Sequence, residues 1–346
     1  SSATRENVLI TTETLTRHWS TALDIAADVV KNASFPENEL VRVRKERLAD
    51  LSRISDDPTA IAMRASRALV YGPDSRYGHP IIGTETTVSG FTRDEVISQF
   101  KQHYGPEDTT LLVVGDVSHD DVVHKAEVLL GDWEQNAVTL GLAPTQETTE
   151  QAPTTIYLAD KPGASQSLVR AAHLTIPRHD CDYYALNLIN YVFGGQPTAR
   201  LFMNLRQDKG YSYGYYSSID WLTGPSALFA GGAVETSVTK ESVVETLKEF
   251  ADIRRRRPIS LEEFEAARDG MFRRFPAMFE TQGQILNQLS NLVSFRLPDD
   301  YYSHLISNIE AITLEETHRV AGERIDDDHL AVLVVGDKEN VEPGLS

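Results

Sequence analysis

One pattern occurs twice in this chain at a nearly fixed separation, and it constrains the fold more than any single motif. "TLLVVGDVSHD" (110–120) and "AVLVVGDKEN" (331–340) are both β-branched apolar runs closing on Gly-Asp, with Gly115 and Gly336 221 residues apart. Each reads as a short buried strand. Upstream of the first, Thr92 and Glu95 stand at the spacing of a helix capping box. Upstream of the second, Thr313 and Glu316 do the same, again 221 residues on. Earlier still, Pro36 and Pro258, 222 residues apart, each break a pair of amphipathic helices, one pair over 22–48 and the other over 243–275. Three correspondences in one register predict two homologous domains in tandem.

The layout that follows is α+β. Strand-like segments such as "ENVLITTET" and "LFAGGAVET" sit among helix pairs, so the helices group against an antiparallel-rich sheet instead of alternating strictly with its strands. The first domain is expected over 1–140, a polar Thr/Gln/Pro linker over 141–155, and the second domain over 156–346. A chain of 346 residues has room for two cores. Pro258 lies just over 100 residues into the second copy, whereas Pro36 is residue 36 of the chain. The first copy is therefore expected to be truncated at its N-terminal side by roughly 70 residues.

Charge narrows the partners. A net charge of −18 opposes binding to a phosphate backbone, which rests on Lys and Arg. The one basic cluster, Arg254 to Arg257, is followed by Pro258 and reads as a solvated turn. No apolar run is long enough to span a bilayer. Cys181 is the single cysteine, so neither an internal disulfide nor a cysteine zinc site is available.

The ten histidines show no HExxH or HxxEH, the patterns that put two imidazoles on neighbouring helical turns over one zinc ion. His119 and His124 are five apart, a polar helix start and not a ligand pair. No nucleophile elbow, P-loop or dinucleotide fingerprint is present. The chain alone thus presents no catalytic residues and no metal site. What remains is "NLRQDKGYSYGYY" (204–216). It places Arg206 near a helix C-terminus, Gly210 as a left-handed terminator, and tyrosines 211, 213 and 215 on one face of a strand.

The order of these elements resembles the M16 family of zinc metallopeptidases, the processing-peptidase, pitrilysin and insulinase group, across nearly the whole chain. "FPENELVRVRKERLADLSRISDDPTAIAMRASRALVYGPDSRYGHPIIGT" is similar to the helical stretch of a first M16 domain with its closing "HP..GT" loop. "RLFMNLRQDKGYSYG" is similar to the family segment that holds an Arg and a Tyr seven apart, here Arg206 and Tyr213. The family's later glutamate ligand would fall in the helix 41–53. Its best-aligned residue is Asp50, a shorter carboxylate, with Glu46 about a turn out of register. The resemblance therefore implies two domains of the fold shared by LuxS and the processing peptidases, and a non-catalytic, metal-free half of an M16 pair. Zinc would belong to an HxxEH-bearing partner subunit or domain. Arg206 and Tyr213 would bind peptide substrate for zinc-assisted hydrolysis while this half closes the chamber. The resemblance also implies a periplasmic location. A scaffold, or a peptide-binding subunit without a hydrolytic role, is the alternative of another class.

Overall fold

The computed structural model describes residues 1–134 and 152–345. Most of the predicted linker 141–155 lies outside the described residues. The strands are β1 (Ser2–Ala3), β2 (Val8–Leu9), β3 (Thr155–Asp160), β4 (Gln166–Thr175), β5 (Tyr216–Asp220), β6 (Ser226–Glu235) and β7 (Ala331–Gly336). The helices run α1 (Trp19–Lys31), α2 (Glu37–Asp56), α3 (Pro58–Tyr71), α4 (Glu85–Gly90), α5 (Arg93–His103), α6 (His119–Leu130), α7 (Tyr183–Phe193) and α8 (Arg200–Phe202). They continue with α9 (Thr239–Ala251), α10 (Leu261–Ala277), α11 (Gln282–Ser294), α12 (Tyr301–Glu310), α13 (Leu314–Arg324) and α14 (Lys338–Leu345). They form a mixed α/β fold in two compact units.

The larger unit gathers 54–79, the described part of 145–277, and 297–345. Its centre is a mixed five-stranded sheet in the order β3-β7-β4-β6-β5, parallel between β3 and β7 and antiparallel elsewhere. β4 and β7 are interior strands covered on both faces, which is why β7 reads as a continuous apolar run. On one face Val169, Ala171, Leu228, Ala230, Val332 and Val334 are all 1% exposed or less. Phe193 of α7 and Phe250 of α9 pack edge-on beside them, ring centroids 4.8 Å apart. Burying each large aliphatic side chain contributes about 1.5–3 kcal/mol, so this layer carries much of the unit's stability. On the other face α3 lays Ala62, Ile61, Ala65 and Leu69 over Leu333, Val335 and Leu168. Val70 and Tyr71 cover Ala172, Ala227 and Phe229.

The smaller unit gathers 1–53, the described part of 80–144, and 278–296. It is helical apart from β1 and β2, a two-residue antiparallel ribbon. Two sequence expectations are corrected here. "ENVLITTET" supplies only Val8 and Leu9 to a strand, and "TLLVV" at 110–114 joins no ladder at all among the described residues. Strand propensity fixes no strand without a neighbour to take up its backbone groups.

Two of the three paired sequence features, the helix breaks and the caps, have corresponding local structure. α1 and α2 flank Pro36, as α9 and α10 flank Pro258. Thr92 caps α5 and Thr313 caps α13. The first is a full reciprocal box, Glu95 accepting from Thr92 N–H at 2.8 Å. The second keeps only the forward bond, Glu316 N–H to Thr313 Oγ1 at 3.1 Å. The arginine run is not a free solvated turn. Arg254 and Arg255 pair with Asp327 and Asp328, and Arg257 with Glu249 at 2.7 Å. No helix among the described residues is long and apolar enough to cross a membrane.

Candidate substrate-binding site

The segment 204–216 folds as a helix end, a left-handed glycine and a bulged approach to β5. α8 runs on through a π-helical turn, Met203–Asp208, anchored by the fully buried Leu201 and Leu205. Single π turns interrupt the helical ladder and often mark functional positions. This one carries Arg206. Gly210 takes φ +69, as a helix terminator does, and Tyr211 N–H bonds back to Leu205 O at 2.9 Å.

Beyond it the strand pairing slips. Ser212 bridges Val234, yet Tyr216 pairs with Gly231, so the segment between them holds one residue more than its partner strand. That is a β-bulge, which re-aims side chains. The prediction that Tyr211, Tyr213 and Tyr215 share one face is therefore corrected. Tyr213 is 84% exposed, while Tyr215 is fully buried with its hydroxyl 2.6 Å from Thr246 Oγ1. Burial pushes the Tyr215 phenol up from its ordinary value, marking it as a structural group. Ser212 Oγ pins the bulge, donating to Ala233 O at 2.6 Å and accepting from Gly214 N–H at 3.1 Å. Gly232 is needed opposite, because a Cβ there would lie 2.4 Å from Gly214 O.

The bulge and the π turn bring the two predicted residues together. The Arg206 guanidinium sits 5.3 Å from the centroid of the Tyr213 ring. Apart from that cation–π contact neither side chain has a hydrogen bond or ion pair among the described residues, so their donors are free for a ligand. Both can offer N–H or O–H groups to a carbonyl oxygen.

Sequence reasoning missed what holds the π turn. Asn204 donates to Glu245 Oε2 at 3.0 Å and to Glu249 Oε1 at 2.8 Å, two carboxylates one turn apart on α9. Lys209 adds an ion pair to Glu245 at 3.4 Å. The Asn204 bond, followed by the lysines, holds the Glu245 carboxyl below its ordinary range despite partial burial. The i, i+4 spacing of Glu245 and Glu249 was readable, but nothing in the sequence named Asn204 as the group between them.

Asp50, the residue best aligned with the family's later ligand, and Glu46, about a turn out of register, lie on α2 and pair with neighbours on the same helix. Asp50 pairs with Arg53, and Glu46 with Arg42 at 2.7 Å.

Comparisons with known proteins converge on one family. A model described as the peptidase M16 inactive domain matches residues 90–271. An uncharacterized zinc protease of Bacillus subtilis, YmxG, is 26% identical over 328 residues, covering 92% of this chain and 76% of that protein. An uncharacterized zinc protease of Mycobacterium leprae is 29% identical over 210 residues, 60% of this chain and 46% of that protein. One from Rickettsia bellii is 26% identical over 66% of this chain and 54% of its own length, so the chain spans about half of these last two relatives. Among solved structures, a peptidase M16 inactive domain from Pseudomonas fluorescens superposes with TM-score 0.81 at 21% identity, over 93% of this chain and 76% of that one. A chain of complex III2 from Candida albicans superposes with TM-score 0.73 at 12% identity, over 94% and 78%.

The relatives' names raise the question of zinc. Among the described residues two groups of acidic or thiol side chains converge, Asp180, Cys181 and Asp182, and Asp326, Asp327 and Asp328. Neither donor set fits zinc, which favours imidazole and thiolate in a tetrahedral shell. Asp182 is taken by Arg319 Nη2 and Arg324 Nε at 2.7 Å each, and Asp327 by Arg254 and Arg255. Cys181, between two carboxylates, has its thiol pushed up and away from the thiolate that would bind metal.

Proposed function

Because the chain belongs to the peptidase M16 family, matching its inactive domain, we propose that it is the substrate-binding, non-catalytic half of a zinc peptidase. Its own residues would hold a peptide, and an HxxEH-bearing M16 subunit or domain would supply the zinc and the water that attacks the scissile bond. The observation that carries this reading is the Arg206–Tyr213 pair. Two donors are held in contact with each other by a π turn and a bulge, and nothing within the described residues uses them. Preorganised donors of this kind act on a developing oxyanion or on substrate carbonyls without reorganising at the moment of reaction. Tandem M16-type domains, an antiparallel-rich sheet and closure of a chamber complete the proposal. A periplasmic location is proposed on the resemblance to exported paired proteins alone, and cell fractionation tests it.

The test is reconstitution with an HxxEH-bearing M16 partner. Arg206→Ala should lower kcat/KM for a peptide by roughly 100- to 1,000-fold, as loss of one oxyanion donor does elsewhere. Tyr213→Phe should cost less, since it keeps the ring and loses one O–H. Wild-type rates in both variants would sink the substrate-binding role.

The second reading is a scaffold of M16 fold without a hydrolytic role. The likeness to a complex III2 chain favours it. An assembly that forms normally around the double variant R206A/Y213F and shows no peptide affinity in either form would support this reading.

A further inference from the structure

The α3 face of the sheet carries a second basic group that the Arg206–Tyr213 site does not use. Arg170 lies on β4, half-buried, its guanidinium carbon 4.3 Å from the Phe229 ring centroid. Arg67 of α3 approaches the same ring at 5.9 Å and the Tyr71 ring at 5.1 Å. The two arginines differ in their partners. Arg67 donates to Tyr77 O at 3.2 Å and forms an ion pair with Asp220. Arg170 makes no hydrogen bond or ion pair among the described residues, and its Nε is closed off from solvent without an acceptor. Two guanidiniums thus approach one phenyl ring, and a carboxylate pairs with the Arg67 one.

Register gives this imbalance a place. Arg170 pairs with Gly231 on β6, and Gly231 pairs in turn with Tyr216 on β5. Across three strands the row reads Arg, Gly, Tyr, spanning roughly 10 Å between its outer Cα atoms. The middle position has no side chain and tolerates none, since a Cβ on Gly231 would lie 2.1 Å from Val169 O. Tyr216 is 42% exposed and three residues beyond Tyr213. The row therefore starts where the bulge ends, on the same sheet as the proposed site.

A partly buried guanidinium without a counter-charge is costly, and burial already disfavours its charged form. A carboxylate brought against the guanidinium would supply the missing acceptor and match its planar fork. The chain as a whole is strongly acidic, at −18, so its bulk field opposes such a ligand. A preference for acid must then come from local contact.

We propose that Arg170, Gly231 and Tyr216 form a subsite for a peptide carboxylate, either an acidic side chain or a C-terminus, extending the peptide site of Arg206 and Tyr213. The inference rests on the peptide-binding reading, and the experiment separates the two.

Labelled ten-residue peptides, neutral except for one glutamate moved along the chain, are titrated into the protein beside their glutamine twins and C-terminal acid and amide pairs. At one position the acidic member should bind at least 10-fold tighter. Arg170→Gln should abolish that difference, and Arg170→Lys, which keeps the charge but not the fork, should reduce it. Arg206→Ala should weaken both twins alike. A preference for glutamate marks the side-chain source, and one for the free acid over the amide marks the C-terminus. Equal binding of every pair to wild type, or a preference that survives in R170Q, overturns the subsite. If no peptide binds, the peptide reading falls and N-acetylglutamate α-amide decides the subsite. Saturable displacement of the Arg170 Nε–H resonance supports it, and no displacement overturns it.

Discussion

Residues 110–114 and 331–335 share a sequence pattern and have opposite fates. "AVLVV" is β7, paired on both sides by β3 and β4, with Val332 and Val334 fully buried. "TLLVV" has no ladder partner among the described residues, and Leu111 and Val113 are each 42% exposed. Both runs are apolar and β-branched, so propensity does not separate them. What separates them is whether two other strands take up their N–H and C=O groups and whether helices cover both faces. A strand pattern states a demand for neighbours, and only the rest of the fold says whether it is met.

The largest expected effect is on hydrogen exchange. Amides of 332–335 should open only with the sheet and exchange at least about a thousandfold more slowly than those of 111–114. Mass spectrometry of peptic fragments checks this, and equal protection in the two segments would erase the comparison. Substitution should follow the same order. Val334→Asp places a charge in a dry layer and should cost roughly 3–5 kcal/mol or prevent folding. Val113→Asp should stay within about 0.5 kcal/mol, as exposed changes do. Urea unfolding of both variants tests the pair.

The same contrast explains what was legible. Helices were readable because their signals are local. Pro36, Pro258, Thr92 and Thr313 each act within one turn of their own helix. Gly210 was readable because a left-handed terminator demands glycine. The sheet order was not, since β7 between β3 and β4 is decided by residues more than 150 positions apart. At the site, the resemblance to the family segment pointed to Arg206 and Tyr213, the pair that the structure brings into contact. The bulge behind it escaped, because one extra residue between Ser212 and Tyr216 shows only when Val234 and Gly231 are known partners. Period two then misplaces Tyr215, which turns inward to Thr246. Arg170 was not singled out, since sequence does not say where a counter-ion is missing.

A smaller effect separates the units by pH. His173 of β4 is 2% exposed beside Phe250, with Nδ1 2.8 Å from Leu174 O and Nε2 without a partner. Burial, its main influence, lowers the imidazole below its ordinary 6.5, ahead of the weaker opposing effects of the Leu174 carbonyl and Asp326. The unfolded chain therefore takes up the proton first. Stability from this residue is complete above about pH 6.5 and falls as pH drops toward the folded value, by up to about 1.4 kcal/mol per pH unit. His173→Met should flatten that slope between pH 5 and 6.5 in denaturant titrations. An unchanged slope would show that protons are taken up elsewhere.

The smallest effect lies in the caps of α5 and α13, where the Glu95 carboxylate bonds back to Thr92 and the Glu316 carboxylate makes no such bond to Thr313. Thr92→Ala and Thr313→Ala each remove a side-chain acceptor from a helix N-terminus and should each cost about 1 kcal/mol. The glutamates should not behave alike. Glu95 accepts from the Thr92 N–H, and that backbone bond, with the Thr92 hydroxyl, lowers its carboxyl from the ordinary value. Its contribution is present above about pH 4.5 and is lost as pH falls through the lowered value. Glu316 makes no such return bond to Thr313 among the described residues. Glu95→Gln should therefore lower the melting temperature more than Glu316→Gln at pH 7, and the gap should close in acid. Equal shifts at both pH values would mean that the return bond at Glu95 carries no weight.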